Sequence, residues 1–300
     1  DLKVIAKGNE LVAAYGVDSI SCGAAIAFAM ECYERGLLTP KDTGGLDLRF
    51  GNPAAMLEMV ERIARRQGLG DLLAEGVARA AGRLGGGAGE LALHIKGQEL
   101  PMHEPRLKPG MGVGYAVSPT GADHCHNMHD TNYTGMSPLL EDLKSLGILE
   151  PLPANDLSPA KMRLLAYHTN WIHFLNSAVG CYFVLVYGFV GFQRVAELVT
   201  AATGWHTSVF ELMKVGERAA TLARAFNLRE GFTPQDDTMP RRFFSPHPSG
   251  PLQGAAPDPE AFHRARDTYY DLMGWPQGRP SPGRLAELGI EWVAPLLEGK

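Results

Sequence analysis

The stretch NPAAMLEMVERIARRQGLG (52–70) carries the start and stop signals of one complete helix. Asn52 can cap the first turn with its side chain, and Pro53 stands where a helix has no N–H bond to lose. Met56, Leu57, Val60, Ile63 and Ala64 recur every three or four residues and make one apolar stripe. Gly68 ends it. The same punctuation repeats toward the N-terminus. Val4 to Tyr15 has helical spacing and stops at Gly16, and Ile20 to Tyr33 closes on Arg35 and Gly36. On the other side, Asp71 to Leu84 reads as a further helix, ended by the glycines 85–87. Gly68-Leu69-Gly70 superficially resembles a phosphate loop. It lacks the third glycine and a preceding strand, so it is read as a connection between helices.

Leu91 to Ile95 and Glu99 to Met102 are short and extended in character. Pro101 to Pro119 is rich in Pro and Gly with few helix formers, and a domain boundary is placed near Gly97. Long helical patterns resume at Ser158-Pro159, running toward Phe174, then at Phe192 to Thr203, Thr207 to Phe226 and Asp258 to Leu272. Thr233 to Pro259 carries seven prolines and is expected to lie extended over the surface. No internal repeat is evident. The class is mainly α.

The chain has 300 residues, 45% of them hydrophobic, enough for one large core or two moderate ones. Its 28 basic and 33 acidic residues give a net charge of −5 and are mixed along the chain. No Lys/Arg-rich run marks a nucleic-acid surface. Cys22, Cys32, Cys125 and Cys181 form no CxxC pair and are too few for a disulfide scaffold, which favours a reducing, cytoplasmic setting. The chain opens on Asp-Leu-Lys, with neither a signal peptide nor an initiator Met, and is expected to be a fragment or a processed chain. Ala178 to Phe192 is an uncharged run of 15 residues with three glycines. A membrane-spanning helix needs about 20 such residues, so the run is expected to be a buried core segment and no membrane contact is expected.

Three segments could carry chemistry. The first is TGADHCHNMHDTNY (120–133), which packs His124, His126 and His129 beside Asp123, Cys125 and Asp130. Imidazoles so close together can bind a metal, serve as general acid or base, or only build a hydrogen-bonded loop. A His-x-His pair on extended backbone would aim both rings to one face. The second is NSAVGC (176–181), where Cys181 is either a thiolate ligand or a small core residue. The third is Tyr15-Gly16-Val17-Asp18, where Asp18 either caps the next helix or accepts hydrogen bonds from a ligand.

Seven segments, taken in order, resemble the aldehyde ferredoxin oxidoreductase family: NELVAAYGVDSIS (9–21), RRQGLGDLLAEGVARAA (65–81), IKGQELPMHEPR (95–106), SPTGADH (118–124), NSAVGC (176–181), FNLREGF (226–232) and DDTMPRRFF (236–244). The resemblance implies a three-domain fold in which a β-rich first domain, absent from this chain, forms the base of the cofactor site. The two helical domains that cover it would be residues 1–97 and 98–300. It implies a tungsten- or molybdenum-bis-pterin centre and a 4Fe–4S cluster. It also implies oxidation of aldehydes to carboxylic acids, with electrons passed to ferredoxin or another electron-transfer protein. Two motifs of the form DxxGL(C/D) would hold the pterins. Here the first ends on Asp18 with Ala13 at its opening acidic position. The second offers Asn176 and Gly180, with Asn for Asp and the glycine moved by one. Cys181 matches one thiolate of the cluster; the other three, and the family's catalytic Glu, would lie upstream. His124 matches a histidine near the metal, and His103 stands where relatives often carry Tyr. Members are often dimers, so a homodimer is carried as an expectation. Within the family the alternative is a reductase subunit acting on an aromatic thioester. Outside it, the alternatives are a helical cover inactive by itself, or a hydrolase holding one metal on residues 123–130.

Overall fold

A computed structural model describes residues 1–185 and 190–298. The described residues form thirteen α-helices and one two-stranded sheet, the expected mainly α class. The chain divides into two compact units. The first comprises residues 1–103, 120–122 and 239–242; the second comprises 104–119, 123–238 and 243–300.

In the first unit, α1 (Leu2–Tyr15), α2 (Ser19–Glu34) and α3 (Pro53–Ala64) begin at the side-chain caps Asp1, Asp18 and Asn52. Their core includes Ala29, Cys32, Leu48 and Met59, all without solvent exposure. The single helix expected over 71–84 is two, α4 (Leu69–Leu73) and α5 (Val77–Leu84). The break is at Gly76, whose φ of 84° is in the left-handed region. There the Val77 N–H donates to Glu99 Oε1 at 2.7 Å. A carboxylate brought in from β2 (Gln98–Glu99) thus caps α5 and restarts the helix. That strand pairs antiparallel with β1 (His94–Ile95), a shorter ladder than the extended runs suggested. Arg242 returns to this unit and grips Glu31 with both guanidinium nitrogens at 2.8 Å.

The second unit opens with α6 (Pro109–Val117), a helix where few helix formers stand. All nine residues are buried, and tertiary contact overrides their weak propensity. Its glycines have a steric reason. A Cβ at Gly110 would meet Asp130 and Met128, and one at Gly114 would overlap Asn127. The unit continues through α7 (Pro138–Leu143), α8 (Pro159–Ser177), α9 (Tyr182–Leu185), α10 (Phe192–Thr203), α11 (Val209–Arg229), α12 (Pro259–Met273) and α13 (Pro282–Glu287). Helix α8 is central, packed by α6, α11 and α12. Gly216 of α11 lies against the Asn170 carbonyl of α8, so close that no side chain fits.

Two expectations fail here. The proline-rich loop 233–259 is not simply surface chain. It folds into short 3₁₀ turns, and Asp237, Met239 and Phe243 are buried. Asp237 accepts from Arg224 Nη1 at 2.7 Å and from the Tyr270 hydroxyl, and this buried charge network draws the loop inward. The run 178–192 is not a continuous core segment either. Val179 and Phe183 are exposed because the chain reverses at the end of α8 and leaves the core. Residues 186–189 of that run lie outside the described ones. No single described helix is long and apolar enough to cross a membrane.

The His-rich turn is bolted to this frame. Asp130, fully buried, accepts from the Met111 N–H of α6 and from Lys161 Nζ of α8, each at 2.8 Å. Lys161 Nζ also donates to the Pro153 carbonyl at 2.9 Å. Asn127 Nδ2 donates to the Met111 carbonyl at 2.8 Å. Tyr133 and His168 Nδ1 pair at 3.0 Å inside the core.

Replacing Lys161 alone with Met strands the Asp130 charge in the core. It should cost about 3–5 kcal/mol of stability, read by denaturant unfolding. The pair Asp130→Asn with Lys161→Met should recover most of that loss. Burial pushes the His168 ring down to about 4, from 6.5 when exposed. The unfolded chain therefore binds the extra proton between those values. The ring's contribution is complete above pH 6.5 and is lost as pH falls toward 4. His168→Gln should flatten that acid limb by up to about 1.4 kcal/mol per pH unit.

Candidate functional site

The turn at Asp123–His126 is half-buried and closed by its own first residue. Asp123 Oδ1 accepts from the N–H groups of Cys125 (2.7 Å) and His126 (3.3 Å). This local turn replaces the extended backbone expected for the His-x-His pair, so the two rings diverge. His124 stands edge-on to His129, with ring centres 6.1 Å apart, and its Nε2 is 3.6 Å from Cys125 Sγ. His126 faces the other way. Its Nδ1 is 2.7 Å from Asp123 Oδ2, its Nε2 is 2.6 Å from Asn176 Nδ2, and its ring lies 5.3 Å from that of His173.

The electrostatics follow from burial and these bonds. Burial opposes ionisation of Asp123, yet the His126 hydrogen bond and charge, with the two backbone donors, hold its carboxyl below the ordinary value. Burial, then repulsion from His126, pushes His173 down to about 4. Burial and the nearby Asp123 push the Cys125 thiol up. The Tyr115 hydroxyl, fully buried on α6, feels Asp123 and Cys125 and has no hydrogen-bond partner among the described residues. Asp123, His124 and Cys125 present ligand atoms within 4.8 Å of one another, but the Asp123 oxygens are already engaged.

The expected motif turns share one backbone design. In the first, Gly16 N–H donates to the Ala13 carbonyl (3.2 Å) and Val17 N–H to Val12 (2.9 Å). In the second, Val179 N–H donates to the Asn176 carbonyl (3.1 Å) and Gly180 N–H to Leu175 (2.8 Å). Each helix thus ends on a left-handed residue, Gly16 at φ 66° and Val179 at φ 56°. Asp18 caps α2 through the Ser21 N–H at 2.7 Å and is otherwise exposed. Asn176 and Cys181 are exposed on their turn, while Cys22 and Cys32 are core residues. His103, in the first unit, is half-buried in a tight turn, its N–H donating to the Pro101 carbonyl at 2.7 Å.

His126 thereby joins the His-rich turn to the second motif. Sequence reasoning missed His173 and Tyr115. His173 was within reach, because it precedes Asn176 by one helical turn and shares its face. Tyr115 is unremarkable until α6 is seen to be a helix.

A sequence model described as aldehyde ferredoxin oxidoreductase, domains 2 and 3, matches residues 1–290. The chain belongs to the aldehyde ferredoxin oxidoreductase family. It is 35% identical over 297 residues to a tungsten-containing aldehyde ferredoxin oxidoreductase of Pyrococcus horikoshii, covering 97% of this chain and 46% of that protein. It is 31% identical over 293 residues to the WOR-like subunit of an aliphatic sulfonate oxidoreductase of Pyrococcus furiosus, covering 93% of this chain and 41% of the other. Among solved structures, the BamBC active-site complex of benzoyl coenzyme A reductase with 1,5-dienoyl-CoA shares the fold. Its TM-score is 0.71 and its identity 23%, over 93% of this chain and 45% of that one. The chain spans about half the length of the curated relatives it matches.

Within this family, the second motif departs where the backbone is most demanding. Val179 holds the position of the motif's glycine in a left-handed conformation that a β-branched residue rarely adopts, and it is 92% exposed. Val179→Gly should stabilise the protein by about 1 kcal/mol, read as a raised thermal midpoint. Val179→Ile should leave it unchanged.

Proposed function

We propose that this chain supplies the helical cover of an oxidoreductase that converts aldehydes to carboxylic acids at a tungsten- or molybdenum-bis-pterin centre. The observation that carries the reading is the pair of like-built turns. Each ends a helix on a left-handed residue and leaves a polar side chain, Asp18 or Asn176, exposed just beyond or before it. The donor chemistry fits a pterin. The Asp18 carboxylate and the Asn176 amide oxygen are acceptors for ring N–H groups. Gly180, half-buried and without a side chain, lets a flat ring approach the backbone.

When bound, the metal–pterin centre accepts the electron pair removed from the aldehyde, and a 4Fe–4S cluster passes electrons on singly. Cys181 is the exposed thiol suited to serve as one cluster ligand, with three more supplied from outside this chain. His124, on the same turn as His126, carries ring nitrogens suited to orient substrate and move a proton. His103 is assigned a substrate-side role on the family match. The electron acceptor is ferredoxin or another electron-transfer protein, the assembly a homodimer, and the setting cytoplasmic.

The test is turnover of an aldehyde panel by the full-length protein with a viologen acceptor, alongside the reverse reduction of an aromatic thioester. Aldehyde oxidation is expected. His124→Asn should lower kcat by about a hundredfold with metal content unchanged. Thioester reduction without aldehyde oxidation would replace this reading with that of a reductase subunit.

A further inference from the structure

We infer that Asp123 and His126 act together as positioning residues that fix which end of the Asn176 amide faces the pterin. The inference rests on the pterin reading above. An aspartate at this motif position offers an oxygen whichever way its carboxylate rotates. An amide does not: one end accepts hydrogen bonds and the other donates them. The Asn176 position therefore needs something to hold the amide the right way round.

The structure provides it. Asp123 is pinned by the Cys125 and His126 N–H groups, so its second oxygen has a fixed place. That oxygen, 2.7 Å from His126 Nδ1, requires the ring hydrogen on Nδ1. In the form of the ring that carries only this hydrogen, Nε2 is a lone-pair acceptor. Its partner at 2.6 Å must be a donor, which assigns the Asn176 NH2 group to that side. The His173 ring, 5.3 Å away and tilted by 33°, restrains the plane of His126. The Asn176 carbonyl oxygen, the other end of an exposed amide, is left as the acceptor for ring N–H donors. The same relay explains why an uncharged residue can stand at this position: orientation replaces charge.

The test is a four-way comparison in the full-length protein of the unmodified chain, His126→Phe, Asn176→Asp, and both together. The readouts are tungsten or molybdenum content and the rate of pterin loss on dilution, followed by the fluorescence of the oxidised, released pterin. Phe keeps the ring and removes the acceptor. His126→Phe alone should speed pterin loss about tenfold, the worth of one misplaced hydrogen bond. In the Asn176→Asp background the same change should have less than about a twofold effect, because either carboxylate oxygen serves. An equal effect of His126→Phe in both backgrounds would show a merely structural role and overturn the inference while leaving the pterin reading intact. So would no effect in either. If the unmodified full-length protein holds no pterin, both the reading and the inference fall. Thermal unfolding of all four proteins separates a folding defect from cofactor loss.

Discussion

The buried pair of Asp130 and Lys161 is the constraint on which the second unit depends. Both side chains are fully buried, and each makes a further bond, Asp130 to the Met111 N–H and Lys161 to the Pro153 carbonyl. Removing two charges from water is costly, and the attraction between them offsets that cost only when the geometry is tight and the remaining polar atoms are satisfied. Here the pair crosses from the His-rich turn to α8 while Asp130 also holds α6. Burial nonetheless keeps the Asp130 carboxyl above its ordinary value, against the pull of Lys161. The pair is thus better understood as specifying a unique arrangement than as adding stability. It fixes where the turn at 123–126 leaves the core.

From that anchor the site is assembled by small residues. Gly110 and Gly114 let Asp130 and Asn127 press against α6, and Asn127 closes onto the Met111 carbonyl. The candidate histidines are then carried by a turn that these bonds hold to α6 and α8. His126 reaches Asn176 across 50 positions of sequence, and two segments that each looked like isolated polar loops become one constellation.

Much of the fold was legible in the chain because helix ends are written in local chemistry. Asn52-Pro53, Ser158-Pro159 and Asp258 mark starts that the structure keeps, and Gly16 marks a stop. What was not legible came from partners distant in sequence. Gly76 breaks a helix because Glu99 arrives to cap the next one. Residues 109–117 form a helix because burial on every side outweighs glycine's poor propensity. The loop around Asp237 turns inward because Arg224 and Tyr270 wait there. The site shows the same division. Its residue types were visible in HCH and NSAVGC, but the divergence of His124 from His126 follows from a hydrogen bond made by Asp123.

The central claim is that the two motif turns hold pterins although the first lacks its opening acid and the second carries Asn176 and Val179. The most direct measurement is the count of pterin, tungsten, molybdenum and iron in the full-length protein purified anaerobically. Two pterins with one tungsten or molybdenum, and about four irons for a single cubane cluster, is the result this account predicts. Well-folded protein with neither metal nor pterin would contradict it, and would mark this chain as a relative in which those substitutions had ended cofactor binding.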